Sequence, residues 1–551
     1  MNEMLRLIDA FAAGRIDRRD FLAKGAALGI GVPALAAAGR RAGSASAQEA
    51  PVQGGRIIIG TKEEPSSMDN HVDSAPASGV IYDNIYDQLT VIDPNGVINP
   101  GLAERWETPE PTRWRIFIRQ GVTWHNGEPF TANDVKFHFD RVFNPDDPGR
   151  PAGLLAAYQS SEVVDDFTID IITDAPYPLL MNDPSPRWQS ISTNKTQLEA
   201  VGAANLGQNP VGTGPFKFKS WEIGGSLILE ANDAYWEGRP YLDEVEFRAI
   251  PEDSARLLAF ESGEIDFIYV VPRFEVPRIQ EDDAFTVLEA VTFVTSYITI
   301  NCGTPPFDDV RVRQAIGYAI KKEDLVAIAF EGQATVADQL IAPGVLGYNP
   351  DLATAWPYDP DQAKVLLDEA GWVEGGDGFR EKEGQKLASD LHFAVGSRFP
   401  EGIAEILQSN LRDVGFDITL MQRESSVISA ELPERLIPLN GGATGLGTGN
   451  FGQLNYEHFH SEGGRSYNFL RDVDPEAQAQ LDAIVEAGSV EYDEAKRMEL
   501  WGQTMQFNRD QGLKIPMYYP KELGAAQSSV RDAYLHPGEY LRMKRVWIAQ
   551  D

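Results

Sequence analysis

Residues 80–142 decide the fold of this chain and read VIYDNIYDQLTVIDPNGVINPGLAERWETPEPTRWRIFIRQGVTWHNGEPFTANDVKFHFDRV. Two Asn-Gly pairs, at positions 95–96 and 126–127, are turn signals, because Asn and Gly tolerate the positive φ angles of hairpin turns. Between them, residues 113–118 (RWRIFI) largely alternate polar and apolar side chains, which predicts a half-buried strand. The stretch therefore begins as short strands joined by tight turns.

A capped helix is predicted to follow the second turn. Thr131 offers a side-chain oxygen at the N-cap position, and Asp134 stands three residues later, where an acid completes a box-like helix start. No residue in this stretch is typical of a catalytic site. Its pattern therefore indicates structure and not chemistry.

The order of these pieces resembles the signature region of the family 5 extracellular solute-binding proteins, which are the oligopeptide-, dipeptide- and nickel-type receptors of ABC importers. Matching blocks follow in the same order along the chain: 100–106 (PGLAERW), 118–127 (IRQGVTWHNG), 131–135 (TANDV), 210–216 (PVGTGPF), 261–266 (ESGEID) and 297–320 (YITINCGTPPFDDVRVRQAIGYAI). The resemblance implies an α/β fold, namely a two-lobed periplasmic binding protein of class II and the large three-domain type, with a hinge between the lobes.

The domain boundaries follow from the same resemblance. Domain I, in the first lobe, is expected to comprise residues 48–92, 211–303 and 518–551. Domain II, an extension of that lobe, is expected over 93–210, and domain III, the second lobe, over 304–517. The hinge is expected where the chain crosses between lobes, near 302–305 and 517–520.

The N-terminal residues 1–47 are predicted to be a twin-arginine signal peptide. Arg18 and Arg19 precede a weakly apolar run at 25–38, which is too short to span a bilayer, and Ala45-Ser46-Ala47 fits an A-x-A cleavage site. An uncleaved amphipathic helix is the alternative. Cleavage near Ala47 would leave the protein free in the periplasm.

Composition excludes several function classes. The net charge of −35 repels phosphate backbones, so nucleic acid is not expected as a partner. The single Cys302 cannot form an internal disulfide and is expected to be a small buried filler. The expected partners are a small-molecule or peptide ligand and an inner-membrane ABC permease complex, bound by a monomer without a cofactor.

Two motifs could carry other chemistry. Residues 447–452 (GTGNFG) fit G-x-G-x-x-G, but 453–457 are not expected to open a helix, so a cleft loop touching ligand is preferred over a dinucleotide site.

His458 and His460 could bind metal, but no partner Cys or carboxylate stands at ligand spacing. No hydrolase motif is present, so no catalytic residue is predicted. A secreted hydrolase acting on a peptide or glycoside, and a nickel or metal-chelate receptor, remain the alternatives.

The predicted ligand-binding residues come from loops and strands that the resemblance places at the cleft. Glu64 and Ser67 lie in the loop after the first strand, although an exposed acidic loop without a binding role is an equal alternative there. The complete predicted set is Glu64, Ser67, Tyr297, Asn301, Arg398, Thr444, Asn450 and Phe451.

The chain departs from the peptide receptors at the residues that hold a peptide. Dipeptide-type relatives carry a Gly-Trp-Thr-Gly-Asp run whose acid binds the α-amine, whereas this chain has Gly442-Ala443-Thr444-Gly445-Leu446. A buried charge without its partner costs several kcal/mol. We therefore expect di- and tripeptides to bind weakly and a different, bulkier or less polar solute to fit.

Overall fold

The structure is a computed structural model and describes residues 50–73, 76–149, 155, 157–182, 189–445 and 450–550. The predicted signal peptide and its cleavage site lie outside the described residues, as do 446–449 of the glycine-rich segment. Within the described ranges no helix is long and apolar enough to cross a membrane.

The strands are short, apart from one of 14 residues near the C-terminus. In chain order they are β1 (Arg56–Thr61), β2 (Thr90–Ile92), β3 (Ile98–Pro100), β4 (Ala103–Glu110), β5 (Arg113–Ile118), β6 (Tyr158–Asp165), β7 (Thr168–Thr173), β8 (Phe216–Trp221), β9 (Ser226–Ala231), β10 (Glu244–Ala249), β11 (Phe267–Tyr269), β12 (Phe285–Val291), β13 (Val294–Ile300), β14 (Ala334–Val336), β15 (Val373–Glu374), β16 (Arg380–Lys382), β17 (Gln385–Lys386), β18 (Ala388–Ala394), β19 (Asp417–Arg423), β20 (Leu439–Gly445), β21 (Lys514–Gln527), β22 (Val530–Arg531) and β23 (Trp547–Ile548).

The longer helices concentrate in the C-terminal half. In chain order the helices are α1 (Pro76–Ile85), α2 (Ala132–Val142), α3 (Lys195–Val201), α4 (Ala203–Leu206), α5 (Asp253–Glu261), α6 (Val276–Gln280), α7 (Val310–Ala319), α8 (Lys322–Asp324), α9 (Pro360–Glu369), α10 (Glu401–Asp413), α11 (Ser425–Glu431), α12 (Gly452–Phe459), α13 (Pro475–Val490) and α14 (Glu494–Gln511). A π-helical turn covers Leu325–Ala329, and 3₁₀ turns cover Leu180–Asn182, Arg273–Glu275 and Leu470–Asp472.

Residues 90–142 fold as the predicted short strands and capped helix, whereas residues 80–85, which were also expected to form a strand, belong to helix α1. β2 and β3 form a hairpin around Gly96. Only glycine suits this position, because its φ is +83° and a Cβ there would lie 1.8 Å from the Gly344 carbonyl oxygen. β5 is buried at every second residue, inside the sheet β4-β5-β7-β6. At the start of α2, the Thr131 backbone N–H donates to the Asp134 carboxylate at 2.7 Å, so the predicted capping box is confirmed.

One twelve-stranded sheet connects the two lobes in the order β19-β18-β20-β13-β21-β11-β1-β10-β9-β8, with β12 and β14 paired to β21. The first lobe contains β1 and β8 to β12, and the second contains β13, β14 and β18 to β20. β21 belongs to both lobes, because its first half pairs with β13 and its second half with β12 and β11. The two-lobed α/β fold is therefore confirmed.

The chain crosses between lobes at Thr292 and at Pro520. Thr292 lies between β12 and β13, and both its N–H and its hydroxyl donate to the Pro520 carbonyl, at 3.0 and 2.9 Å. The sequence placed the first crossing at 302–305, but β13 already pairs with second-lobe strand β20 before that segment is reached. Strand partners depend on pairing between distant segments, which local sequence does not reveal. The remaining domain boundaries stay predictions.

Two apolar layers cover the second-lobe sheet. One face packs on α7, α9 and α10 through side chains such as Ile298, Ile316 and Leu407. The other face lies under α12, α13 and α14, where Tyr297, Leu454 and Trp501 share a cluster. Cys302 is buried beside this cluster as predicted, and burial raises its thiol pKa to about 11.

Candidate ligand-binding site

The two faces of β20 differ in how tightly they are packed. A Cβ at Gly441 would lie 2.5 Å from the Phe399 ring, so that face has no room. A Cβ at Gly442 would meet only the side-chain amide of Asn440, at 3.6 Å. Since successive strand residues point to opposite faces, the sheet face of Asn440, Gly442 and Thr444 is open at Gly442, although other side chains of this face are buried under α12, α13 and α14.

A row of polar side chains crosses the sheet on this open face. His392 pairs with Asn440, Asn440 with Thr299, and Thr299 with Lys514, so four adjacent strands each place one polar residue in register. The Lys514 amine donates to the Thr299 hydroxyl at 2.9 Å and lies 5.0 Å from the centre of the Tyr297 ring. A buried sheet face is normally apolar, so this row marks an exceptional place.

Helix α12 lies over the polar row. The His458 ring packs edge-on against Tyr297, with ring centres 5.9 Å apart. Asn455 lies one turn earlier on the same helix face and is fully buried. Both side-chain atoms of Asn455 and the Nδ1 atom of His458 are buried without a hydrogen-bond partner. Unpartnered buried polar atoms are costly, so this layer is suited to hold a polar solute.

A cluster of charged side chains connects the two lobes where the chain crosses between them. Arg398, in the second lobe after β18, forms an ion pair with Glu539 of the C-terminal segment. Burial and the nearby Glu539 raise the pKa of Glu522, in β21, to about 7, although Arg398 and Arg273 oppose the rise. Arg273 of the first lobe stacks over the second-lobe Phe330 ring, 4.3 Å from its centre. These contacts join the lobes on the side of the sheet where Phe330, Phe399 and Tyr518 pack, opposite Gly442.

Three of the predicted residues border these features. Tyr297 and Thr444 lie on the open face of the second-lobe sheet, because each is in register with a residue of that face. Arg398 lies in the cluster of charged side chains at the crossing. Contact of these residues with a solute stays a prediction.

Glu64 and Ser67 lie in the first lobe and have structural contacts. The Glu64 carboxylate accepts hydrogen bonds from the Trp221 indole at 2.6 Å and from the Gly224 N–H at 3.0 Å, so it fastens its loop to the β8–β9 hairpin. The Ser67 hydroxyl accepts from the Asp69 N–H at 3.1 Å. The structure does not bring either residue to the open face of β20.

The other three predicted residues are internal. The Asn301 amide donates to the backbone carbonyls of Arg435 and Ile437, and the Asn450 amide donates to the carbonyl of Asn182. Phe451 is fully buried and packs against Trp501, with ring centres 5.8 Å apart. Internal hydrogen bonds or burial occupy all three in this structure, and their contact with a solute stays a prediction.

The expectation that 453–457 would not open a helix was wrong, because α12 begins at Gly452. The Asn450 side chain accepts from the Gly452 N–H at 2.9 Å, and Leu454 and Phe459 anchor the helix in the core. A different observation argues against a dinucleotide-binding site. Asp472, at the distance expected for a ribose-binding acid, pairs with Arg435.

The two histidines of the predicted metal alternative point in different directions. His458 faces Tyr297, whereas His460 stacks on Tyr456 and pairs with Glu486 at 3.1 Å. Across the described ranges, no group of three or more His, Cys, Asp or Glu residues could hold a metal ion.

Lys514 and His458 were not predicted as members of one polar layer. A lysine opening an otherwise apolar strand, KIPMYY, was the available signal for Lys514, because a central strand rarely contains an unpaired charge. Nothing local could show that α12 would bring His458 against the same strand.

A model of the bacterial extracellular solute-binding proteins, family 5 (middle region), matches residues 97–460. The chain belongs to this family. It is 26% identical to the oligopeptide-binding protein AppA of Bacillus subtilis (strain 168), over 94% of this chain and 96% of AppA. It is 29% identical to the nickel-binding periplasmic protein of Escherichia coli (strain K12), over 79% of this chain and 83% of that protein.

Solved structures of the family 5 type have the same fold. The B. subtilis AppA structure, in complex with a nonapeptide, has a TM-score of 0.70 at 26% identity and covers 91% of this chain and 100% of AppA. NikA from Brucella suis, in complex with Fe(III)-EDTA, has a TM-score of 0.78 at 25% identity and covers 90% of this chain and 100% of NikA. Family 5 members are solute-binding proteins, so this chain is a solute-binding protein.

Proposed function

We propose that this family 5 protein is a periplasmic receptor that delivers a peptide or another small polar solute to the permease complex of an ABC importer. The observation that carries this proposal is the open, polar face of β20, which lies beside the two crossings between lobes. Relatives named for oligopeptide and nickel binding support the same class of function. The solute itself is not assigned by these names.

Binding is proposed to close the two lobes. Among the described strands of the twelve-stranded sheet, those through Thr292 and Pro520 connect the lobes, so small backbone rotations at these residues can act as a hinge. A solute that contacts both lobes binds the closed form better and shifts the equilibrium toward it. The Arg398–Glu539 ion pair is a contact between the lobes that such a motion would affect.

The proposed location follows from the N-terminal sequence. The twin-arginine pair and the A-x-A site support export and cleavage near Ala47. A free periplasmic monomer without a cofactor is then positioned to meet an inner-membrane permease.

A thermal-shift screen tests the receptor function. Small peptides, opines, sugars and metal chelates would each be added to the purified mature protein, and a bound solute should raise the melting temperature. At a concentration of 100 Kd the expected stabilisation is about 2.7 kcal/mol.

Two variants make the screen specific to the site. Gly442→Leu should abolish the shift by filling the open space, whereas Gly376→Leu should preserve it, because Gly376 is exposed and has no neighbour within 4 Å of its added Cβ. If no solute shifts the melting temperature while chromogenic ester, glycoside or peptide substrates are cleaved, the protein is a hydrolase and the proposal is wrong.

A further inference from the structure

We infer that the solute carries an anionic group and that Lys514 binds this group in the layer between the second-lobe sheet and α12. This inference rests on the proposed receptor function and specifies the chemical class of its solute. Its evidence is the charge of the layer, its unpartnered polar atoms and the space over Gly442.

Lys514 is buried, and no described residue forms an ion pair with it. Its side chain is 2% exposed, and its amine bonds to the Thr299 hydroxyl and faces the Tyr297 ring. Buried lysines normally have an anionic partner, because an isolated ammonium loses its hydration energy without compensation. An anionic ligand group would supply that partner.

The groups around Lys514 are basic, although the chain as a whole carries a net charge of −35. Burial, followed by the charge of Arg465, lowers the pKa of Lys514 to about 7. Burial, followed by the charges of Lys514 and Arg465, lowers the pKa of His458 well below its usual value. No carboxylate contributes to either shift. The potential in this layer is therefore positive, which favours an anion.

Hydrogen-bonding groups are available next to the charge. The free buried atoms are Asn455 Nδ2 and Oδ1, His458 Nδ1, Asn440 Oδ1 and His392 Nδ1. Amide and imidazole N–H groups can donate to a carboxylate, and the amide oxygens can accept from hydroxyl or amide groups elsewhere on the solute. Together they suit a solute with one anionic end and a polar body.

The layer is also roomy where the solute must lie. Gly442 is next but one to Asn440 on the same face, and a side chain there would enter unfilled space. On the opposite face, Phe399 closes the corresponding space at Gly441. The missing side chain at position 442 thus leaves room between the end of β20 and the polar row that ends at Lys514.

Matched pairs of probes test the inference by thermal shift and calorimetry. The pairs are trialanine and trialanine amide, glucuronate and glucose, and glutarate and glutaramide, with phosphate and sulfate as separate arms. We expect at least one acid to bind more tightly than its neutral partner. A response to phosphate or sulfate alone would still support the anion site and would identify an inorganic oxyanion as its ligand.

Three variants connect the acid preference to this layer. Lys514→Met should weaken binding of the acid at least about tenfold, because a buried charge pair is lost. Arg465→Gln should also weaken it, and since Arg465 is exposed, this variant should fold normally. Lys386→Met, which removes an exposed lysine that pairs with Asp377, should leave binding unchanged.

Proton uptake on binding distinguishes direct contact between the anion and Lys514 from a purely structural role of this lysine. An anion beside Lys514 favours its charged form, so binding at pH 8 should take up close to one proton, measured by calorimetry in buffers of different ionisation enthalpy. Neutral probes that bind as well as their acids, or an acid preference that survives both Lys514→Met and Arg465→Gln, would overturn the inference and leave the receptor function standing. Absence of binding by every probe would count against both.

Discussion

Lys514 links folding stability to pH because its amine is buried and lies near the charge of Arg465, and both lower its pKa. Its folded-state pKa of about 7 lies below the unfolded value of about 10.4, so between these values the unfolded chain holds a proton that the folded chain has released. The free energy of unfolding should therefore gain a contribution as pH rises from 7 to about 10.4. Urea denaturation should show that Lys514→Met loses this gain and is more stable than wild type at pH 7.

Glu522 should act in the opposite direction and at lower pH. Its folded-state pKa is raised to about 7 by burial and by Glu539, from an unfolded value of about 4.3. The folded chain thus holds the extra proton, and stability should fall as pH rises through this window. Glu522→Gln should flatten that fall while leaving the alkaline gain from Lys514 in place. A decline unchanged by Glu522→Gln would contradict this assignment.

Glu64 is predicted to stabilise the first lobe and to have no direct role in binding. Its carboxylate accepts from the Trp221 indole and the Gly224 N–H, and hydrogen bonds to charged groups contribute about 1.5–3 kcal/mol. Glu64→Ala should lower the free energy of unfolding by an amount of this order, measured in urea. Glu63→Ala, at an exposed neighbour, is the control. Loss of solute binding with unchanged stability would restore Glu64 to the binding site.

Single residues show where sequence reasoning succeeds and where it stops. Thr131 and Asp134 could be assigned because a capping box is local, and both of its residues are visible in one short stretch. The burial of Phe451 could not be foreseen, because Trp501, which packs against it, lies 50 positions later in the chain. Burial by distant elements cannot be inferred from a short window.

At the scale of elements, glycines in two helices should respond oppositely to the same substitution. In α7, a Cβ at Gly317 would lie 2.5 Å from the buried Trp356 ring, so Gly317→Ala should destabilise the protein by about 1–3 kcal/mol. In α10, Gly402 has no neighbour within 4 Å, so Gly402→Ala should stabilise by up to about 1 kcal/mol through helix propensity. Equal effects in thermal denaturation would contradict the described packing of α7.

Elements with explicit start and stop signals were predictable. α9 begins with Asp359 as N-cap and Pro360 at its first position and is followed by Gly371, as the sequence indicates. α12 was not predictable in this way, because its stability comes from packing on α13 and α14 and not from propensity or a recognisable cap. Helices held mainly by tertiary contacts are the ones that local patterns miss.

At the scale of the whole molecule, the family resemblance predicted the two lobes but not the residues at which the chain passes from one lobe to the other. The chain changes lobe at Thr292, where a threonine bonds twice to the Pro520 carbonyl and so couples the two crossings. The hydrophobic pattern does not assign β12 and β13 to different lobes, since each mixes apolar side chains with Thr, Ser or Glu. Their division between lobes is decided by pairing with opposite halves of β21.

Small-angle X-ray scattering of the mature protein, with and without a solute identified in the screen, tests the central claim that this receptor closes around its ligand. The account predicts a smaller radius of gyration with solute, and no such change for Gly442→Leu, whose site is filled. The same radius with and without a solute that binds at saturation would contradict a hinge at Thr292 and Pro520.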